Sequence, residues 1–149
     1  MTAYTRRQYT SKTISASVHG PKDNQKKADV IFEGDSRDVL RGFPDEVKED
    51  IGYALFQLEL GQSPPDRKPV RTVGPSVYEL READAATWYR LLYERRGRKI
   101  YVLHCFRKAS NAIEQNDINT AKRRRSAVLE REREARRNVK RAVQGGKKK

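Results

Sequence analysis

The chain has 149 residues, 36% hydrophobic and 36% charged, with a net charge of +13 and one cysteine, Cys105. That length suits a single domain, and a low apolar share leaves part of the chain outside any packed core. One cysteine excludes an intrachain disulfide, no apolar run approaches the roughly 18–20 residues of a membrane span, and the first residues lack the apolar centre of a secretory signal. The expected setting is therefore the reducing cytoplasm, with no membrane partner.

Residues 1–28 are Ser/Thr-rich, carry Arg6 and Arg7, and read as a disordered tail, although an organelle transit peptide has a similar composition. Val30 to Phe32 is a first strand ending at Glu33-Gly34. Ser36 can cap a short helix through Leu40, which Gly42 interrupts. Pro44 opens a second helix, with Asp45 and Glu46 well placed for its dipole. Val47, Ile51, Ala54, Leu55 and Leu58 recur at helical spacing up to a stop at Gly61. That helix is too short to stand alone, so its apolar stripe must lie on a sheet.

Residues 61–76 hold four of the six prolines and read as a loop. Strands follow at Val77–Arg81, Thr87–Glu94 and Ile100–Phe106, the last two joined by a turn containing Gly97. The third strand is apolar on both faces, as expected of a central, covered strand. From Asp117, a candidate cap, Ala, Arg, Glu and Lys predict a helix to about Ala142, followed by a flexible Gln-Gly-Gly-Lys-Lys-Lys end. Its apolar stripe is thin, limited to Ile118, Ala121, Val128 and Leu129. The order predicts an α+β fold with helices on one side of a small antiparallel-type sheet. The domain reading is a tail at 1–28, a folded unit at 29–126, and a basic helical extension at 127–149.

Charge is unevenly placed. Residues 1–29 carry +4, 30–121 carry −1 and 122–149 carry +10; within the centre, 30–66 carry −6 and 67–108 carry +7. A basic face on the strands can bind phosphates, and equally the two halves can pair as surface ions. CxxC, HExxH, Walker and GxGxxG motifs are absent. His19 falls in the tail, and His104 and Cys105 on adjacent strand positions face opposite sides, so neither a metal site nor a Cys–His pair is expected. Arg, Lys, Tyr and one His remain on the strands. Metal-free RNA cleavage needs little more, because the 2′-hydroxyl of RNA is itself the nucleophile.

The segments VYELR (77–81), WYRLLY (88–93) and IYVLHCFRKAS (100–110), the basic INTAKRR (118–124), and also VIFEGD (30–35) and LELG (58–61), carry a family pattern. Together they resemble the phage-derived, HigB-like branch of the RelE/ParE toxin superfamily over residues 29–126. The resemblance implies a RelE-like fold whose basic face enters the ribosomal A site. It implies metal-independent cutting of mRNA with no cofactor, and inhibition by a HigA-like helix-turn-helix antitoxin. It places Arg81, His104 and Lys108 as catalytic candidates. Lys68, Arg71, Arg90, Arg107, Lys122, Arg123 and Arg124 become candidate RNA contacts. The loop Ala109–Asn116 departs from the family's Lys, Thr and Pro pattern, and no tyrosine follows Tyr101.

Each candidate has a plainer reading. Arg81 can pair with Glu79 on its own strand face, and Arg90 can pair with an acidic helix residue. His104, alternating with Val102 and Phe106, can be a buried hydrogen-bonded histidine. Arg107 and Lys108 face opposite sides. Trp88 and Tyr78, Tyr89, Tyr93 and Tyr101 are expected in the core. Two other functions fit the same residues: a ParE-like toxin acting on gyrase, and a non-enzymatic phage-derived RNA-binding protein.

Overall fold

The computed structural model describes residues 27–110 and 112–147. The tail expected over residues 1–28 therefore lies almost wholly outside the described residues, as do Lys148 and Lys149. The elements are β1 (Asp29–Phe32), α1 (Ser36–Arg41), α2 (Asp45–Glu59), β2 (Lys68–Pro69), β3 (Val77–Ala83), β4 (Trp88–Arg96), β5 (Lys99–Lys108) and α3 (Gln115–Lys147). The strands form one sheet in the order β1-β5-β4-β3-β2.

The α+β architecture is the expected one, with two additions. The pairs β2–β3, β3–β4 and β4–β5 are antiparallel, but β1 pairs parallel to β5, from Asp29 opposite Lys99 to Phe32 opposite Val102. The helices also cover both faces rather than one. On the first face, Val47, Ile51, Ala54, Leu55 and Leu58 of α2 pack with Leu80, Leu91, Tyr93, Ile100, Val102 and Cys105. On the second, Ala121 and Val128 of α3 pack with Val70, Val73, Val77, Leu92, Tyr101, Leu103 and Phe106. Each large side chain so buried contributes about 1.5–3 kcal/mol.

The strand β5 explains why two helical layers are needed. Its alternate residues Ile100 and Val102 enter the first cluster, while Tyr101 and Leu103 enter the second. Val102 opposes Tyr93 and His104 opposes Leu92, so Leu103 is the extra residue of a bulge. The bulge shifts the alternation by one. His104 thus leaves the face of Val102 and joins Leu103 and Phe106 on the α3 face.

With few apolar anchors, α3 is held to the sheet by charge. Arg125 Nε donates to Glu94 Oε1 at 2.6 Å, Arg131 Nη2 to Glu33 Oε2 at 2.7 Å, Arg96 Nε to Glu132 Oε1 at 2.6 Å, and Arg124 Nη2 to Asp35 Oδ1 at 2.9 Å. Local details differ from expectation at several element ends. Ser36 begins α1 rather than capping it, and its hydroxyl donates to the carbonyl of Glu33 at 2.6 Å. Pro44 is the residue before α2 rather than its first. The proline-rich loop contributes the two-residue strand β2. The helix α3 continues to Lys147, through the expected flexible Gly-Gly.

Gly34 shows how tightly α3 is seated. Its φ is +58°, and a Cβ there would run into the Arg124 guanidinium. Gly34→Ala should therefore lower unfolding free energy by about 1–3 kcal/mol in denaturant titration. Gly52→Ala, in α2 with nothing within 4 Å of the added Cβ, should instead gain up to about 1 kcal/mol.

Candidate functional site

The α3 face of the sheet carries three consecutive cross-strand rows at its β3–β4–β5 end. They are Glu79–Leu92–His104, Arg81–Arg90–Phe106 and Ala83–Trp88–Lys108. The three candidate catalytic residues, Arg81, His104 and Lys108, thus lie on one face in adjoining rows. Because α3 begins only at Gln115 and runs back along β5, it leaves the β2–β3 side of this face open. The opening is a groove of about 460 Å³, lined among others by Lys68, Arg71, Glu79, Arg81, Arg90 and Ile113. Four of the ten candidate residues meet there, four cations against one carboxylate. The volume lies within the range of ligand-binding clefts.

Cations in this groove divide by burial. Arg90 is 1% exposed, and its Nη1 donates to both oxygens of Glu79, at 2.7 and 2.9 Å. Its partner is an acidic residue of the neighbouring strand rather than of a helix. Arg81 keeps 24% of its side chain exposed, with Nε 4.0 Å from Glu79. Both guanidiniums lie 5.5 Å from the Trp88 ring centroid, so Trp88 spaces two like charges over a polarizable face. Lys68 and Arg71 are exposed at the rim.

Beside the groove, Lys108 and His104 share one carboxylate. Lys108 Nζ is 2.6 Å from Glu114 and 3.4 Å from Asp117, and His104 Nε2 is 2.9 Å from Asp117 Oδ1. Asp117, expected to cap α3, sits in its first turn and serves these two residues instead. Glu114 raises the pKa of Lys108, keeping it charged. Burial pushes His104 below its usual value; Asp117 works against this and Arg124 with it. A neutral imidazole fits the geometry. Its Nε2–H donates to Asp117, and Nδ1 accepts from Arg124 Nη1 at 3.4 Å. The ring stacks on Phe106 with centroids 4.8 Å apart.

The remaining candidates lie elsewhere. Arg107 occupies the opposite face, donating to the Gly42 carbonyl at 3.2 Å and lying over Phe43 and Tyr89. Lys122 and Arg123 are exposed on the outer side of α3. Arg124 turns inward, to Asp35 and to the Leu103 carbonyl at 3.1 Å. Glu79, Glu114, Asp117 and Ile113 belong to the site but were not among the candidates. Alternation with Arg81 was the signal available for Glu79; the others depend on how α3 lands. Cys105 is buried on the α2 face, where burial pushes its thiol up to about 12, so it supplies no thiolate. Among the described residues no His, Cys, Asp and Glu group could hold a metal ion, and no helix is long and apolar enough to cross a membrane.

Residues 38–126 match the family described as Phage derived protein Gp49-like (DUF891). That segment is more than half of the chain, and the chain belongs to this family. No curated protein sequence matches it. Among solved structures, a chain of the toxin–antitoxin complex RelBE2 from Mycobacterium tuberculosis is similar at 20% identity, over 60% of this chain and 100% of that one, with a TM-score of 0.36. A likeness that loose carries no functional argument.

Two expectations follow. Arg90→Ala strands the buried Glu79 carboxylate and should cost about 3 kcal/mol, whereas Arg81→Ala should cost less than about 1 kcal/mol, both read from urea unfolding. Because folding lowers the His104 pKa, the unfolded chain binds more protons just below pH 6.5, and stability falls as pH drops through the folded value. Melting temperature should decline from pH 7 to 5 in the parent and decline less in His104→Gln.

Proposed function

We propose that the chain is the toxin of a toxin–antitoxin pair, of the HigB-like kind, and that it cuts mRNA on the ribosome without a metal. The observation that carries this reading is the convergence of Lys68, Arg71, Arg81 and Arg90 on one groove beside Lys108. These residues come from separate stretches of chain, and they are the ones singled out by the resemblance to RelE-type toxins. Membership of a phage-derived family agrees with it.

In this reading the mRNA backbone lies along the groove. Lys68 and Arg71 take flanking phosphates at the rim. Arg81 and Lys108 face the scissile phosphate from two sides, with Arg90 fixing Glu79 and Trp88 beneath. The 2′-oxygen attacks the adjacent phosphorus, giving a 2′,3′-cyclic phosphate and a free 5′-hydroxyl. The work left to the protein is proton movement and neutralisation of the pentacoordinate phosphorus. His104 acts on this centre through Asp117, which it shares with Lys108. An antitoxin of helix-turn-helix type would hold the protein inactive by covering the same basic surface.

The test is induced expression with 5′-end mapping of cellular mRNA. The parent should arrest growth and leave cuts at fixed codon positions. Arg81→Ala and Lys108→Ala should each lower the cutting rate on the order of 100-fold while remaining folded by circular dichroism. Arrest with intact mRNA, or cutting by both variants as fast as by the parent, would overturn the reading.

A further inference from the structure

Nearly half of α3, from Arg133 on, has no part in the fold. Glu132, bonded to Arg96 and Tyr101, is the last residue of the helix held to the sheet. Residues 133–145 are exposed throughout, and the helix runs to Lys147, about 20 Å further along its axis. No acidic residue follows Glu134.

At 100° per residue, Arg133, Arg136, Arg137, Lys140 and Arg141 fall on one side of this projection. Arg133, Arg137 and Arg141 lie opposite the stripe of Ala121 and Val128 by which α3 docks, and Lys140 and Arg136 turn progressively toward it. Glu130 clamps Arg133 at 2.9 Å. Among the described residues, no carboxylate forms an ion pair with Arg136, Lys140 or Arg141. At the root of the projection the β4–β5 turn adds Arg98 and Lys99, both exposed. The two large apolar side chains exposed here, Val139 and Val143, fall toward the docking stripe's side and share an open groove with Arg136 and Lys140.

We propose that residues 133–147 form an arm that grips the phosphate backbone of a folded RNA. A protein partner is disfavoured because the apolar surface beside these cations comes only from Ala135, Val139 and Val143, with no aromatic side chain, and valine is under-represented among the residues that carry most protein–protein binding energy. Glu130 and Glu134 hold Arg133 and Arg137 near the root, and the arginines and lysine beyond them suit an evenly charged phosphate chain. The choice of RNA over DNA rests on the proposed function.

The arm is also distinct in place from the groove. The groove's Glu79, Arg81 and Arg90 are in register with His104 and Phe106 of β5, and the arm leaves at the Lys99 end, about 15–25 Å away along the strand. One strand of a few nucleotides cannot fill both. The arm would hold the structured RNA that surrounds the message while the groove takes the message itself.

The experiment measures binding of the full chain to a 20-base-pair RNA hairpin, from 50 to 300 mM salt, in an Arg81→Ala background. Replacing Arg136, Lys140 and Arg141 together by Gln breaks no hydrogen-bonded ion pair, weakens only the longer-range attraction of Arg136 for Glu132, and keeps good helix formers. The slope of log K against log salt should fall by about 2, with an unchanged circular dichroism melt. Equal slopes would overturn the proposal, as would preference of the parent for a DNA hairpin of the same length. Self-association abolished by the same substitutions would overturn it too, assigning the arm to the acidic α1–α2 surface of a second copy. Failure of the nuclease reading is separate: it shows as uncut mRNA with the difference in slope intact.

Discussion

Strand β5 must be kept from water on both faces, and most of the architecture answers that demand. Ile100, Val102 and Leu103 have no exposed surface, and Tyr101 and Cys105 have almost none. The backbone of β5 pairs with β4 along one edge and with β1 over Lys99–Val102 on the other. Covering its side chains requires α2 on one side and α3 on the other. The apolar stripe of α2 does its part by burial alone. The stripe of α3 is too thin for that, so four arginine–carboxylate contacts distribute the fastening along about two turns of helix, to the end of β4 and to the turn after β1.

The same economy of carboxylates sorts the cations. Glu79, Glu94 and Glu33 are buried and take Arg90, Arg125 and Arg131. What remains outward-facing collects in two places: the rim of the groove and the far part of α3. A net charge of +13 therefore overstates the positive surface of the folded sheet and understates that of the projecting helix. Buried pairs of this kind add little net stability over apolar residues of equal volume, but losing one member is costly. In this chain they fix which way α3 crosses the sheet, and with it which part of the face stays open.

Much of this was legible in the chain. The spacing of Val47 to Leu58 marked α2, and the apolar run at 100–106 marked a central strand. Alternation correctly separated Arg107 from Lys108 and His104 from Cys105. Alternation failed at His104 and Val102, because a bulge inserts one residue and no residue type announces it. The layering of α3 was hidden for another reason. Its anchors are charges whose partners lie 31 to 98 residues away, and side-chain periodicity says nothing about contacts at that range. Lys68, Arg71, Arg81 and Arg90 were chosen by family position and charge, and the sheet does bring them together. Arg124 was chosen on the same grounds, but it faces inward because Gly34 leaves room for its guanidinium.

The parallel pairing of β1 with β5 joins residues 70 positions apart, Asp29 to Lys99. Contacts of such separation form late, since a long loop must close before they contribute. As the chain is synthesised from its N-terminus, β1, α1 and α2 appear first and wait without their central strand. Neither layer of the core can close until β5 has emerged, and the wall of the groove supplied by Ile113 comes later still. The basic groove thus comes together only after the sheet is whole, and a nascent chain lacks it until residue 113 of 149 has been made.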